Sequence, residues 1–493
     1  MRESGQITSH SSAANRRYVN IRCFPLKGIL DYDTAMRTTA RGRAVEVLIA
    51  WRKLASPPLI PSHDAPIWEK LQPGDRALAF DLIHGVIRWR TTLQCVSQSL
   101  LDRPFDRLDP YVQTLLLLGM YQLLICDGIA DYAAIDTTVE LARIYPSAVR
   151  AGGLINAVLR AAQRLLVEIE DRGSLAANTF PLDFHRQVRL AKPVFPDPKT
   201  DLPGHLALAT SHPLMLVRAI FTWMDSAAVV PVLIANNARP VIALRADDPE
   251  YTPPPGLGLL AHKQKGYYLA IHGWSPALAR EIAIGFLSPQ DPTAGKAAGI
   301  LAKLLTTTAG QPSGTPQILD LCAGLGTKTM QLSRAIPNAK IIASDIDGAK
   351  LDQLLERARQ MQALNIEPRK AALLGEKAKF NAALVDVPCS NTGVLARRVQ
   401  ARWRWPSLNV PALRLDQLKL LQQAAELVIP GGVLVYSTCS MDPAENNLLV
   451  DEFLASAAGK NWRKAEEFRA LPNHTDQASH NCDGGYAVGL QHG

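Results

Sequence analysis

The chain has 493 residues, 47% apolar and 20% charged, with a net charge of +8 and a pI near 9.1. That length exceeds what one hydrophobic core sustains and predicts about two to four domains. No apolar run reaches the ~20 residues of a membrane helix, so no membrane partner is expected, and the excess of base favours an anionic partner, nucleic acid above all.

Residues 1–34 are polar, without the apolar core of a secretory signal, and read as a flexible tail. Residues 35–170 repeat apolar side chains at helical spacing, in "ARGRAVEVLIAWRKL", "DRALAFDLIHGVIRWRTTLQCVSQSLL", "DPYVQTLLLLGMYQLLI" and "AGGLINAVLRAAQRLL". Asp109-Pro110 is a helix start, an N-cap followed by proline in the first turn. This helical domain carries 15 Lys/Arg against 14 Asp/Glu, so any RNA affinity needs a local patch. Residues 171–207 are rich in proline and read as a linker. Residues 208–310 mix helices ("LMLVRAIFTWM", "VVPVLIANNA") with short strands ("VIALRA", "YYLAI"), a small α+β module.

From residue 311 to 493 strands and helices alternate. "ILDL", "KIIAS" ending at Asp345, a weak "AALL", "NAALVDV" and "VLVYST" are strands, with "MQLSRAI", "AKLDQLLERARQMQAL", "VPALRLDQLKLLQQAAELVI" and "PAENNLLVDEFLASA" as helices. The pattern predicts a parallel, doubly wound sheet, whose ligands bind at the carboxyl ends of the strands.

Two cysteines fall at such ends, Cys389 in "LVDVPCSNTG" and Cys439 in "LVYSTCSMDPAENN". The remaining five (Cys23, Cys95, Cys126, Cys322, Cys482) read as packing, turn or loop-shaping residues. None of the seven forms a Cys-x-x-Cys pair, so no metal and no disulfide framework is expected, and a reducing, cytoplasmic setting fits. The turn Cys322-Ala323-Gly324-Leu325-Gly326-Thr327-Lys328, between a strand and a helix, suits close backbone approach to a nucleotide-type ligand, with Asp345 spaced to accept ribose hydroxyls. The spacing alone also allows a merely structural turn, with Asp320 an ordinary turn acid and Lys328 a solvated helix-start lysine.

"DVPCSNTGVLARR" with "ARWR", and "LVYSTCSMDPAENN", resemble two motifs of the RNA 5-methylcytosine methyltransferases of the RsmB (Sun/Fmu) type, a branch of the Nop2/Sun family. "LDLCAGLGTKT" resembles their S-adenosylmethionine loop. "GFLSPQDPTAGKAA" resembles the stretch that precedes their catalytic core, and "RGRAVEVL", "GVIRWR", "LLLGMYQLL", "AAIDTTVELA" and "GGLINAVLR" resemble a NusB-like RNA-binding domain. The resemblance covers the chain from about residue 36 onward. It implies an all-α NusB-like bundle, the small α+β module and a Rossmann-like class I methyltransferase domain. The partner would be RNA, small-subunit rRNA first, and the protein a monomer.

The resemblance also implies roles. Cys439 would attack carbon 6 of a cytosine, Cys389 would assist release, and Asp386 would contact the base. The loop from Cys322 to Lys328 would hold the methionine part of the cofactor, and Asp345 its ribose. Glu376, in "LLGEKAKFN", would reach the adenine. Arg397, Arg398, Arg402 and Arg404 would face RNA; from Asp386 to Lys419 there are six Lys/Arg against two Asp.

The cofactor loop departs from the family's Ala-Pro-Gly-Gly-Lys at Gly324, Leu325 and Thr327. A β-branched Thr327 tolerates positive φ poorly, so such an angle there would weaken cofactor binding. A tRNA substrate, or a non-catalytic RNA-binding or ribosome-assembly factor with a degenerate loop, remains open on the sequence.

Overall fold

The computed structural model describes residues 38–52, 66–69, 71–248, 250–307, 314–371, 379–475 and 477–493. The tail at 1–34, Cys23 and Glu376 lie outside them.

Six helices open the described chain: α1 Ala40–Arg52, α2 Pro73–Arg88, α3 Arg90–Gln98, α4 Pro110–Leu124, α5 Asp131–Ile144 and α6 Gly152–Leu165. The helical run from Asp75 onward breaks at Trp89 (φ −99°, ψ 13°), which ends α2 and starts α3. The Asp109 side chain accepts from the Tyr111 N–H and caps α4, as its sequence predicts. Every residue of α4 from Val112 to Leu124 is buried, so this is the central helix and the others pack round it.

The segment expected as a linker is part of that domain. Strands β1 Leu166–Asp171, β2 Thr179–Pro181 and β3 Arg186–Leu190 form an antiparallel sheet in the order β1-β3-β2. Phe180, Val188, Leu190 and Phe195 are buried in the helical core. Its prolines punctuate short strands instead of a free connection.

Next come α7 Leu202–Ala209, α8 Leu214–Trp223, α9 Ser226–Ala235, β4 Ile242–Ala246, β5 Leu259–Ala261, β6 Tyr267–Ala270, α10 Pro276–Ala283, β7 Leu287–Pro289 and α11 Lys296–Thr307. The four strands form their own antiparallel sheet, β5-β6-β4-β7. The module divides by packing. Helices α7, α8 and α9 share a core with Leu395, Ala401 and Met441, in the segments that follow the two strand-end cysteines. Helix α11 covers the large sheet through Ala297, Ile300 and Leu301, so the catalytic layer begins ahead of residue 311.

The last domain runs β8 Gln317–Asp320, α12 Thr327–Ala335, β9 Lys340–Asp345, α13 Gly348–Gln360, β10 Ile366–Lys370, β11 Phe380–Asp386, α14 Ala401–Arg404, α15 Val410–Leu427, β12 Val428–Thr438, α16 Asn447–Ala455, β13 Trp462–Ala470 and β14 Gly485–His492. The sheet order is β10-β9-β8-β11-β12-β14-β13. Strand β14 is antiparallel to both its neighbours and the rest are parallel, which is the mixed sheet of the class I methyltransferase fold. Alternate strand residues feed two buried layers. Ile318, Ile341, Leu384 and Val435 meet α11, α12 and α13, while Leu319, Ile342, Val385 and Tyr436 meet α15 and α16.

The sheet differs from its expectation in two places. β10 precedes "AALL", most of which lies outside the described residues. β13 and β14 were not foreseen: β13, "WRKAEEFRA", is an edge strand whose charges face solvent and hide the β signal.

Candidate active site

The carboxyl ends of β11 and β12 meet side by side. Their parallel pairing runs to Asp386 opposite Ser437, and the Val387 N–H still donates to the Ser437 carbonyl. The two strand-end turns then cross. The Gly393 N–H donates to the Cys439 carbonyl at 2.9 Å, and the Gly484 N–H donates to the Gly393 carbonyl at 2.7 Å. Cys389 Sγ and Cys439 Sγ come to 3.2 Å, both half-buried.

A Cβ on Gly393 would stand 2.5 Å from the Gly484 carbonyl oxygen and 3.0 Å from that of Cys439. Both neighbours are backbone and cannot rotate away. Gly393→Ala is therefore expected to force the two cysteine turns apart. Stability should fall by about 2 kcal/mol and turnover by roughly tenfold or more, read by chemical denaturation and by kcat.

The two thiols are electrostatically unequal. The hydrogen bond from Cys389, with Arg398 and Lys328 nearby, holds the Cys439 thiol below its ordinary pKa against the opposing effect of burial. The same bond, with burial and the Glu445 charge, pushes Cys389 well above. The pair thus favours a thiolate on Cys439 and a proton on Cys389. Asn391 sits in the left-handed region (φ 61°); its Oδ1 is 3.4 Å from Cys439 Sγ and accepts from Arg398 Nη1 at 2.6 Å.

Asp386 is fixed from two sides. Lys328 Nζ donates to Oδ2 at 2.6 Å, and Ser437 Oγ donates to Oδ1 at 2.7 Å. Lys328 is therefore no solvated lysine. Burial works against its charge, and its pKa is nevertheless raised because Asp386 stands beside it.

The loop before α12 suits a ligand. The positive φ angles fall on Gly324 (56°) and Gly326 (81°), not on Thr327, which is the first residue of α12. The angle at which Thr327 would have been costly is thus carried by glycine. Among the described residues, none beyond its two chain neighbours comes within 4 Å of a Cβ built on Gly324, and Leu325 is 51% exposed, so the turn presents open backbone. The Ala323 N–H donates to the Ser344 carbonyl and the Gly324 N–H to Asp345 Oδ2, tying the loop to the end of β9. Cys322 is half-buried against the core and its pKa is raised, chiefly by burial, so it shapes the loop.

Asp320, buried at the end of β8, has one oxygen bonded by Thr329 Oγ1 at 2.7 Å and the other, among the described residues, without a partner. Burial pushes its pKa up to about 7. An acid raised in the folded state binds its proton where the unfolded chain has lost it. Stability is therefore lost as pH rises from about 4 to about 7. Asp320→Asn keeps an acceptor for Thr329 and removes that loss. Its gain over the unsubstituted protein should be about 2–3 kcal/mol larger at pH 8 than at pH 5, measured by urea unfolding without cofactor.

Of the four arginines expected to face RNA, Arg402 is buried and Arg397, half-buried, is tied up in ion pairs. Arg397 pairs with the buried carboxylates of Asp483 (2.7 Å) and Asp291 (3.1 Å) and donates to the Val241 carbonyl. Arg402 is fully buried and donates to the carbonyls of Arg88, Ser211, Asn236 and Leu395 and to Asn237 Oδ1. Arg402 thus has no surface to offer phosphate, and the Arg397 guanidinium is engaged by two carboxylates and a carbonyl of the protein itself. Arg398 is exposed and Arg404 half-buried.

A Rossmann-like methyltransferase sheet with a paired-thiol site, preceded by a NusB-like helical domain, defines the class. A family model for 16S rRNA methyltransferase RsmB/F matches residues 307–484, and the NusB family model matches 38–164. The chain belongs to the RsmB/F family of 16S rRNA methyltransferases. It is 30% identical over 406 residues to ribosomal RNA small subunit methyltransferase B of Pseudomonas putida, spanning 79% of this chain and 84% of that one. The protein of the same name from Vibrio cholerae is 30% identical over 403 residues, 78% of this chain and 82% of that one. The crystal structure of PH0851 superposes with a TM-score of 0.66 over 93% of this chain and 99% of that one at 17% identity, a likeness of fold.

Proposed function

We propose that this protein methylates carbon 5 of a cytosine in small-subunit rRNA, using S-adenosylmethionine and a transient Cys439–cytosine bond. The observation that carries the reading is the 3.2 Å contact between two thiols of opposite pKa shift, beside a carboxylate held by Lys328 and Ser437.

Carbon 5 of cytosine is not nucleophilic in the aromatic ring. The Cys439 thiolate adds to carbon 6, and the electrons of the 5,6 double bond move to carbon 5. Asp386 offers an acceptor to the exocyclic amine as charge shifts through the ring. S-adenosylmethionine, when bound, supplies an electrophilic methyl group on a sulfonium sulfur. Once carbon 5 carries the methyl group, its proton leaves to solvent, the 5,6 double bond re-forms and the Cys439 thiolate departs; Cys389 stands against Cys439 Sγ, where its thiol proton stabilises the departing thiolate. The loop from Cys322 to Lys328 and Asp345 would hold the cofactor, and the open backbone at Gly324 and the unpartnered Asp320 oxygen fit a polar ligand there. Because the base is unreachable inside a duplex, it is swung out or taken from a single strand. Arg398 and Arg404 are the arginines left to meet phosphate. The rRNA substrate follows the names of the relatives, and a reducing cytoplasm suits two thiols that must stay unjoined.

The test is incubation with radiolabelled S-adenosylmethionine and in-vitro transcribed small-subunit rRNA, then digestion to nucleosides. Label in 5-methylcytidine is expected. Label in another nucleoside, or none although calorimetry shows the cofactor bound, counts against the reading.

A further inference from the structure

We propose that Glu445 is a positioning residue whose buried carboxylate joins the two cysteine-bearing turns and sets the contact between Cys389 and Cys439. The inference rests on the reaction read above, but its geometry does not depend on it.

Glu445 is 0% exposed and, among the described residues, forms no salt bridge. Its Oε2 accepts from the Ser390 N–H and from Gln417 Nε2, each at 2.9 Å. Its Oε1 accepts from the hydroxyls of Ser390 and Ser440, the latter at 2.7 Å. Ser390 directly follows Cys389, and Ser440 directly follows Cys439. One carboxylate therefore grips the residue after each thiol. The backbone beside it completes the grip. The Glu445 carbonyl accepts from Tyr436 OH, and Asn446 bonds the Ser440 carbonyl and the Thr438 hydroxyl on either side of Cys439.

Burying an anion without a cation is costly, and four donors aimed at one carboxylate are what offset it. Stability alone gives little reason to keep a charge here, since neutral residues fill such sites at lower desolvation cost. The geometry gives a better one. Strand pairing stops at Asp386 and Ser437, so beyond it the thiol spacing depends on links between turns. Glu445 is the one carboxylate among the side-chain links in the described residues; the Ser390 and Thr392 hydroxyls also meet the Ser440 hydroxyl, the Met441 N–H donates to Thr392 Oγ1, and Gly393 supplies the backbone part. Glu445 also adds a negative charge on the Cys389 side, in keeping with a proton held there.

The test reads the thiol contact directly. Diamide oxidises two adjacent thiols to a disulfide and is itself reduced to the hydrazine. The rate of the Cys389–Cys439 cross-link, mapped by mass spectrometry on the full-length protein, needs neither RNA nor cofactor. In Glu445→Ala the cross-link should slow about tenfold or more and kcat should fall to match, with KM for RNA within about twofold. Glu445→Gln keeps the shape, because the two serine hydroxyls can rotate to accept from the amide, and should recover cross-linking to within about threefold. A folded Glu445→Ala protein that cross-links and turns over like the unsubstituted one overturns the proposal. If Glu445→Ala does not fold, Ser440→Ala removes one donor at the Cys439 turn; a cross-linking rate unchanged there overturns it equally. Normal cross-linking behaviour in a protein that never labels cytosine would instead mean that the reaction was misread and the clamp was not.

Discussion

Cys439→Ala is expected to abolish methyl transfer, by about 10⁴-fold or more, while leaving cofactor affinity unchanged. A missing nucleophile is not compensated by the rest of a site. Cys389→Ala should behave differently. It leaves the attacking thiolate in place and removes the group that assists its departure, so the Cys439–cytosine bond should persist. The observable is a protein–RNA band that survives denaturing electrophoresis, present in Cys389→Ala and absent from the double variant. The assignment is the one the family resemblance implies, and the asymmetry of the pair agrees with it: Cys439 is held below its ordinary pKa and Cys389 well above it. Between those two values the pair carries one proton, on Cys389, and the rate should rise as pH passes through the lowered value. An adduct trapped in Cys439→Ala but not in Cys389→Ala would reverse the roles.

Much of this site was legible because it is local. A strand, a cysteine and a polar turn, repeated in "LVDVPCSNTG" and "LVYSTCS", fix both thiols at one sheet edge once the strands are parallel neighbours. Asp345 and the glycine loop follow from the same grammar. What the sequence hides is partnership across long separations. Lys328 and Asp386 are 58 residues apart, and Arg397 and Asp291 are 106 apart. No periodicity reports such pairs. The arginines of "VLARRVQARWR" show the limit most clearly: a basic run reads the same whether it meets phosphate or buried carbonyls. The condition set on Thr327 is not met, because the left-handed angle falls one position earlier, on Gly326, and spacing alone does not say which of the two residues takes it. Glu445 carried a faint signal in "DPAENN", where an acid two residues after a proline in a turn reads as helix-start chemistry and nothing more.

Arg402→Ala should cost the most stability of any substitution considered, about 3–5 kcal/mol. Its guanidinium joins three parts of the molecule. It bonds the Arg88 carbonyl at the end of α2 (3.2 Å), Ser211 (3.1 Å), Asn236 and Asn237 (2.7 Å each) around α7 and α9, and Leu395 in the catalytic turn (3.5 Å). Ser211 is held in the left-handed region (φ 55°), a conformation that needs such support. Buried charges can often be replaced by apolar residues without loss, but only when both partners are replaced together. Here the acceptors are mostly backbone carbonyls, which no side-chain substitution removes, so each stays buried and unpaired. Arg402→Met separates the two contributions. It refills most of the volume and restores none of the bonds, so it should recover about 1–2 kcal/mol of the loss and no more. Chemical denaturation of the three proteins checks this. A fully stable Arg402→Met would mean that packing, not hydrogen bonding, holds the helical domain against the catalytic turn. If the bonds matter, both variants should also lose turnover, because Leu395 and the turn bearing Cys389 are anchored through the same guanidinium.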